Sequence, residues 1–186
     1  NIDRGYGDVG LFEVGQVYAG DKPEDETLRA AGIRRGQAVA RNWTGSARPV
    51  DAFDAKADAL DTLAAAGAPT ASLQIVQGAP GWFHPGRSGT IQLGPKNQLA
   101  WFGEVHPRVL DAMDVKGPMV AFEVVLNNVP AARNKSAARP ALKASDLMAV
   151  KRDFAFIVES DIAADKLIRA ARGADKALIA EVSLFD

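Results

Sequence analysis

The chain contains no cysteine and only two histidines, His84 and His106. That removes the disulfide framework of small secreted domains and leaves too few ligands for the usual zinc sites. Long apolar runs are missing as well: none approaches the about 20 residues that cross a bilayer. The opening Asn-Ile-Asp-Arg has neither a starting Met nor a signal-peptide pattern. These absences read as a soluble, cytoplasmic protein without membrane contact, and the opening as that of an excised fragment. Nucleophile motifs are lacking too, since no Gly-x-Ser-x-Gly surrounds Ser88, and no P-loop is present.

What is present is enough for a sizeable core. With 186 residues and 47% hydrophobic content, the chain can hold one large domain or two small ones. The net charge of -1 is unevenly placed: Ala131 to Arg152 holds Arg133, Lys135, Arg139, Lys143, Lys151 and Arg152 against the single acid Asp146. A basic stretch beside an acidic body suits a polyanion contact, because phosphate binding follows clustered cations rather than total charge. A solvated basic linker has the same composition.

Val9 to Tyr18 and Gly36 to Trp43 read as strands, with Asp21 to Glu26 as a polar loop between them. Val50 to Ala66 reads as an amphipathic helix with Phe53, Ala57, Leu60, Leu63 and Ala64 on its apolar side and Gly67 as its stop. Strands are expected at Ser72 to Val76, Gly89 to Leu93, Leu99 to Gly103 and Met119 to Leu126, with a helix from about His106 to Met113. The expected core is Phe12, Val14, Phe53, Leu60, Leu63, Ile75, Leu93, Phe102, Val120, Phe122 and Val124. This order predicts an α+β domain with an antiparallel or mixed sheet. After Asn127 small, basic and Pro residues take over, which marks a boundary. Beyond it, Asp153 to Glu159, Ala163 to Ala171 and Leu178 to Phe185 read as strand, helix, strand.

Several signals carry two meanings. Gly5 to Gly10 satisfies Gly-x-Gly-x-x-Gly, but a strand follows and none precedes, the reverse of a dinucleotide fold. Asp51, Asp54, Asp58 and Asp61 fall on one side of the predicted helix, as a metal-binding stripe or a solvated face would. His84 and His106 each sit beside a Pro, and either is a general base in principle or a local hydrogen-bonding partner in a turn. Trp82 with Phe83, and Trp101 with Phe102, could stack bases or fill core and interface.

Four segments, Leu11-Phe12-Glu13-Val14-Gly15-Gln16-Val17-Tyr18, Val50-Asp51-Ala52-Phe53-Asp54-Ala55-Lys56, Phe83-His84-Pro85-Gly86-Arg87-Ser88 and Gly103-Glu104-Val105-His106-Pro107, taken together, resemble the β subunit of bacterial phenylalanyl-tRNA synthetase. A fifth, Lys151-Arg152-Asp153-Phe154-Ala155-Phe156 with the closing Ser183-Leu184-Phe185-Asp186, resembles the opening of that subunit's ferredoxin-like anticodon-binding domain. The resemblance implies a class II synthetase-like antiparallel sheet with flanking helices over 1–128, a linker over 129–149 and a partial ferredoxin-like βαβ over 150–186. It also implies a catalytic α subunit as partner in an α2β2 heterotetramer, tRNA rather than DNA as the nucleic acid, and ATP with magnesium as requirements of the intact enzyme.

For the chain itself no cofactor, metal or catalytic residue is expected. Class II enzymes set triphosphate-binding arginines on a central strand and at a late helix, whereas Leu11 to Tyr18 offers Glu13 and Gln16 but no Arg. Lys143, Lys151 and Arg152 are the expected RNA contacts, although Arg152 is equally suited to pairing with a nearby carboxylate. The alternatives are an independent small class II-like enzyme binding a nucleotide or amino acid, and a generic RNA-binding module.

Overall fold

The computed structural model describes residues 4–131, 141–142 and 144–185. The chain divides into two compact units, the first within 1–135 and the second within 136–186. In the first, β1 (Val9–Tyr18), β2 (Glu26–Arg35), β5 (Gln74–Gln77), β6 (Phe83–Leu93), β7 (Asn97–Val105) and β8 (Met119–Val125) form one sheet in the order β1-β2-β8-β7-β6-β5. Every neighbouring pair is antiparallel. A separate ribbon pairs β3 (Gln37–Val39) with β4 (Arg48–Pro49). The expected α+β class and antiparallel sheet are both present.

Strand β2 is the main departure from the expected elements. Its sequence, ETLRAAGIRR, is poor in β-branched and aromatic residues, so local propensity does not announce a strand. Pairing on both sides, to β1 and to β8, makes it one. Its small residues serve that position: a Cβ on Gly32 would meet the Phe122 ring at 2.5 Å. The strand expected over Gly36 to Trp43 is correspondingly short, ending at Val39.

Helix α1 (Ala52–Ala65) begins at Asp51, whose carboxylate accepts from the backbone N–H groups of Phe53 and Asp54. Asp54 returns the bond by accepting from the Asp51 backbone N–H, which completes a capping box. Gly67, at φ 86°, ends the helix in the left-handed conformation that costs glycine little. The helix packs on β7, β8 and β2 through Ala55, Ala59 and Leu63, all fully buried. Leu63, Phe102, Val120, Phe122 and Val124 are buried as expected, while Leu60, Ile75 and Leu93 are half-buried at the margin of the core.

Phe12, Val14 and Phe53 were expected in the core and are exposed. For Phe12 and Val14 the cause is position: β1 is the sheet edge, and the main packing of α1 lies on β7, β8 and β2. For Phe53 the cause is rotation of the helix. Two alanines and a leucine point inward, which lets the helix axis approach the sheet, and Phe53 is left 73% exposed beside the Lys56 ammonium.

In the second unit, helix α3 (Ala164–Ala174) occupies the expected helical segment. The flanking segments expected as strands, 153–159 and 178–185, carry no strand pairing among the described residues. A strand exists only through its neighbour's hydrogen bonds, and the two parallel strands of a split βαβ leave room for another strand between them. Phe154, Phe156, Leu178, Leu184 and Phe185 are exposed accordingly.

Candidate functional site

Side chains alternate across a strand, so the β register sorts the residues of the first unit onto two faces. One face carries Ala30, Ala100, Phe102, Val120, Phe122 and Val124 beneath α1. The opposite, open face carries Glu13, Arg29, Ala31, Trp101 and Glu123, placed by the pairings Glu13 with Ala31, Ala31 with Glu123, and Trp101 with Glu123. Gln16, the other polar residue noted on this strand, lies on the opposite face from Glu13 by the same alternation, and accepts from the Tyr18 hydroxyl at 3.1 Å.

Arg29 organises the centre of the open face. Its guanidinium donates to the Glu123 carboxylate at 2.5 Å and to the Thr27 hydroxyl at 3.3 Å, and lies 5.7 Å from the centre of the Trp101 ring. Both ionic side chains are about four-fifths covered, at 23% and 19% exposure. The sequence reading did not single out Arg29, Trp101 and Glu123 as a set. Arg29 and Glu123 are 94 residues apart, and only the β2–β8 register brings them together.

The two histidine motifs also meet. Antiparallel pairing of Phe83 with Val105 sets the His84 and His106 rings in a stack, 6.5 Å between centroids. The Nδ1 of each accepts a backbone N–H two residues on, from Gly86 and from Arg108. For His106 this bond caps α2 (Pro107–Ala112). Between Phe83 and Ser88 the register shifts, so the His-Pro-Gly-Arg segment bulges, and Arg87 pairs with Glu104 at 2.7 Å. These contacts hold local backbone: among the described residues, the groups bonded to the two rings are the Gly86 and Arg108 backbone N–H. An open cleft of about 600 Å³ beside them is lined by Arg87, Glu104, Val105, Leu110 and Lys116 among others.

Three of the four aspartates in the stripe, Asp51, Asp54 and Asp58, are engaged locally. Asp51 and Asp54 cap the helix and bind Arg48, and Asp58 forms a two-point pair with Arg34 at 2.5 and 2.8 Å. The Arg48 hydrogen bond holds the Asp54 carboxyl below the usual aspartate range against the opposing effect of burial, and Asp58 raises the Arg34 guanidinium further. Among the described residues no three His, Cys, Asp or Glu side chains converge as metal ligands, and no helix is long and apolar enough to cross a membrane. Of the expected RNA contacts, Lys151 and Arg152 are exposed in the second unit, with the Arg152 guanidinium donating to the Lys151 carbonyl. Lys143 lies outside the described residues, as do Arg133, Lys135 and Arg139.

Residues 1–126 match the family described as phenylalanyl tRNA synthetase beta chain CLM domain. Over its full length the chain is 54% identical to the phenylalanine–tRNA ligase beta subunit of Bradyrhizobium diazoefficiens, covering 24% of that protein. It is also 54% identical to the corresponding subunit of Rhodospirillum rubrum and 55% identical to that of Cereibacter sphaeroides, again over the whole chain and 23% of each. The chain therefore spans about a quarter of the length of these relatives. With most of its residues inside the family match and its whole length aligned to such subunits, the chain belongs to the phenylalanyl tRNA synthetase beta chain family, in the CLM domain region.

Proposed function

We propose that this chain is a non-catalytic part of the β subunit of phenylalanine–tRNA ligase, supporting the active site of a catalytic α subunit and contributing to tRNA binding during ATP-dependent aminoacylation. Residues 1–128 form the catalytic-like module, 129–149 the linker, and 150–186 the first half of the anticodon-binding domain. The assembly is an α2β2 heterotetramer in the cytoplasm, and Lys143, Lys151 and Arg152 contact tRNA phosphates.

The observation that carries the non-catalytic reading is the state of Arg29. An adenylate-forming site needs guanidinium groups free to bind a triphosphate bidentately. The arginine at the centre of the open face is instead held by Glu123 and Thr27 against Trp101. Arg29 is thus engaged and not available to a triphosphate, which supports assigning the ATP and magnesium requirements to the α subunit of the intact enzyme. Isothermal titration of this chain with ATP and with phenylalanine tests the reading: no low-micromolar binding is expected, and such binding would favour an independent small enzyme. Affinity capture of the full parent subunit is expected to bring down a catalytic α subunit. Failure to do so would favour a generic RNA-binding module.

A further inference from the structure

The ribbon formed by β3 and β4 carries a feature that neither the core nor the open face uses. Its tip, Arg41-Asn42-Trp43-Thr44-Gly45, closes on a bridge between Asn42 and Gly45. The Asn42 side-chain oxygen accepts from the Thr44 N–H at 2.9 Å, the Thr44 hydroxyl at 2.6 Å and the Gly45 N–H at 3.2 Å. The base of the ribbon is anchored by Val50 N–H donating to the Gly36 carbonyl and by Arg48 on Asp51 and Asp54. At the end of this braced turn Trp43 is 97% exposed, while the other two tryptophans are half-covered, Trp82 at 48% exposure and Trp101 at intermediate burial.

The charged side chains within the ribbon are of one sign. Gln37 to Val50 contains Arg41 and Arg48 and no acid. Arg48 pairs with Asp51 and Asp54, and Arg41, two residues from Trp43 in the chain, is exposed and pairs with no carboxylate among the described residues. A flat π-face two residues along the chain from a guanidinium with no carboxylate partner among the described residues, on a backbone already ordered, suits an unpaired nucleotide: the base stacks on the indole and the phosphate meets the cation. Unstacked bases are also what proteins most readily take from a folded RNA. We propose that Trp43 is a stacking platform for an unpaired base of the tRNA, with Arg41 holding an adjacent phosphate. The inference rests on the tRNA-binding reading above, and Trp43 would be a second contact region, on the first unit, distinct from Lys151 and Arg152.

The test uses the full parent β subunit assembled with its α partner, probed with a phenylalanine tRNA transcript and with a blunt RNA duplex. Trp43→Ala is expected to weaken transcript binding by about 5- to 100-fold, as loss of one base stack does, with Trp43→Phe recovering most of the affinity and duplex binding unchanged. Arg41→Gln is expected to lower the salt slope of transcript binding by about 0.7, as for one single-strand phosphate contact. Wild-type affinity in Trp43→Ala overturns the proposal, as does an equal loss on the duplex. It is also overturned if light scattering shows Trp43→Ala dissociating the subunits while the intact fraction binds the transcript normally, since Trp43 is then a protein anchor. Absence of transcript binding by the wild-type assembly removes the tRNA-binding reading itself, an outcome separate from these.

Discussion

Arg29 on β2 and Glu123 on β8 meet at 2.5 Å on the open face of the sheet, most of both side chains covered. Removing one partner strands the other in a partly desolvated place, so Glu123→Ala is expected to destabilise the fold by about 1–2 kcal/mol in urea unfolding. Replacing both, as Arg29→Met with Glu123→Leu, should recover most of that loss. In the assembled parent enzyme, Arg29→Met should leave kcat for aminoacylation within about twofold, whereas loss of a transition-state donor costs about 10²–10³. A loss of that larger size would place Arg29 in the chemistry.

Leu63 is fully buried under the sheet and Phe53, one helical face away, is 73% exposed. Leu63→Ala is expected to cost about 2–5 kcal/mol, the range for a buried leucine. Phe53→Ala should stay within about 0.5 kcal/mol in the isolated chain. Equilibrium denaturation of both variants checks the rotation of α1, and equal costs would contradict it.

Gly103 has φ 147°, and a Cβ there would meet the Arg87 carbonyl oxygen at 2.5 Å and the Ser88 Cα at 2.6 Å. Backbone atoms on the bulged strand cannot yield as a flexible side chain can. Gly103→Ala is therefore expected to cost about 1–3 kcal/mol and to loosen the stacked His84 and His106 turns, read as faster exchange of the Gly86 and Arg108 amides. Wild-type stability in this variant would show that the two strands separate easily.

The Asp54 carboxyl is held low by Arg48 and by the Asp51 backbone N–H. A depressed folded-state value means stability that is present above the unfolded value, about pH 4, and is lost as pH falls through the folded value. Asp54→Asn should thus flatten the acid limb of the stability curve below about pH 4, while leaving its shape above pH 6 unchanged. Thermal melts across pH 2.5 to about 7 measure this, and identical acid limbs would remove Asp54 from the account.

Segments 153–159 and 178–185 expose apolar side chains and carry no strand pairing among the described residues. Hydrogen exchange of the isolated, dilute chain should therefore be faster over 150–185 than over β7 and β8, apart from the α3 interior. Equal protection would mean that the second unit is complete as it stands.

The sequence by itself determined what local physics controls: a helix read over Val50 to Ala66, with its Gly67 stop, that forms over Ala52–Ala65, strand β1 in its apolar and aromatic run, and the short helix that starts after His106. It also carried the family resemblance. Tertiary structure decided the rest, because these features depend on partners distant in the chain. β2 is a strand through β1 and β8 on either side rather than through its own Ala, Gly and Arg residues. The apolar face of α1 that is buried was chosen by the fit of Ala55 and Ala59 to the sheet, which left Phe53 outside. The Arg29, Trp101 and Glu123 set exists only in the register of β2, β8 and β7. In the second unit the helix forms from local hydrogen bonds, whereas strands require hydrogen bonds from a neighbour, and sequence alone cannot supply one.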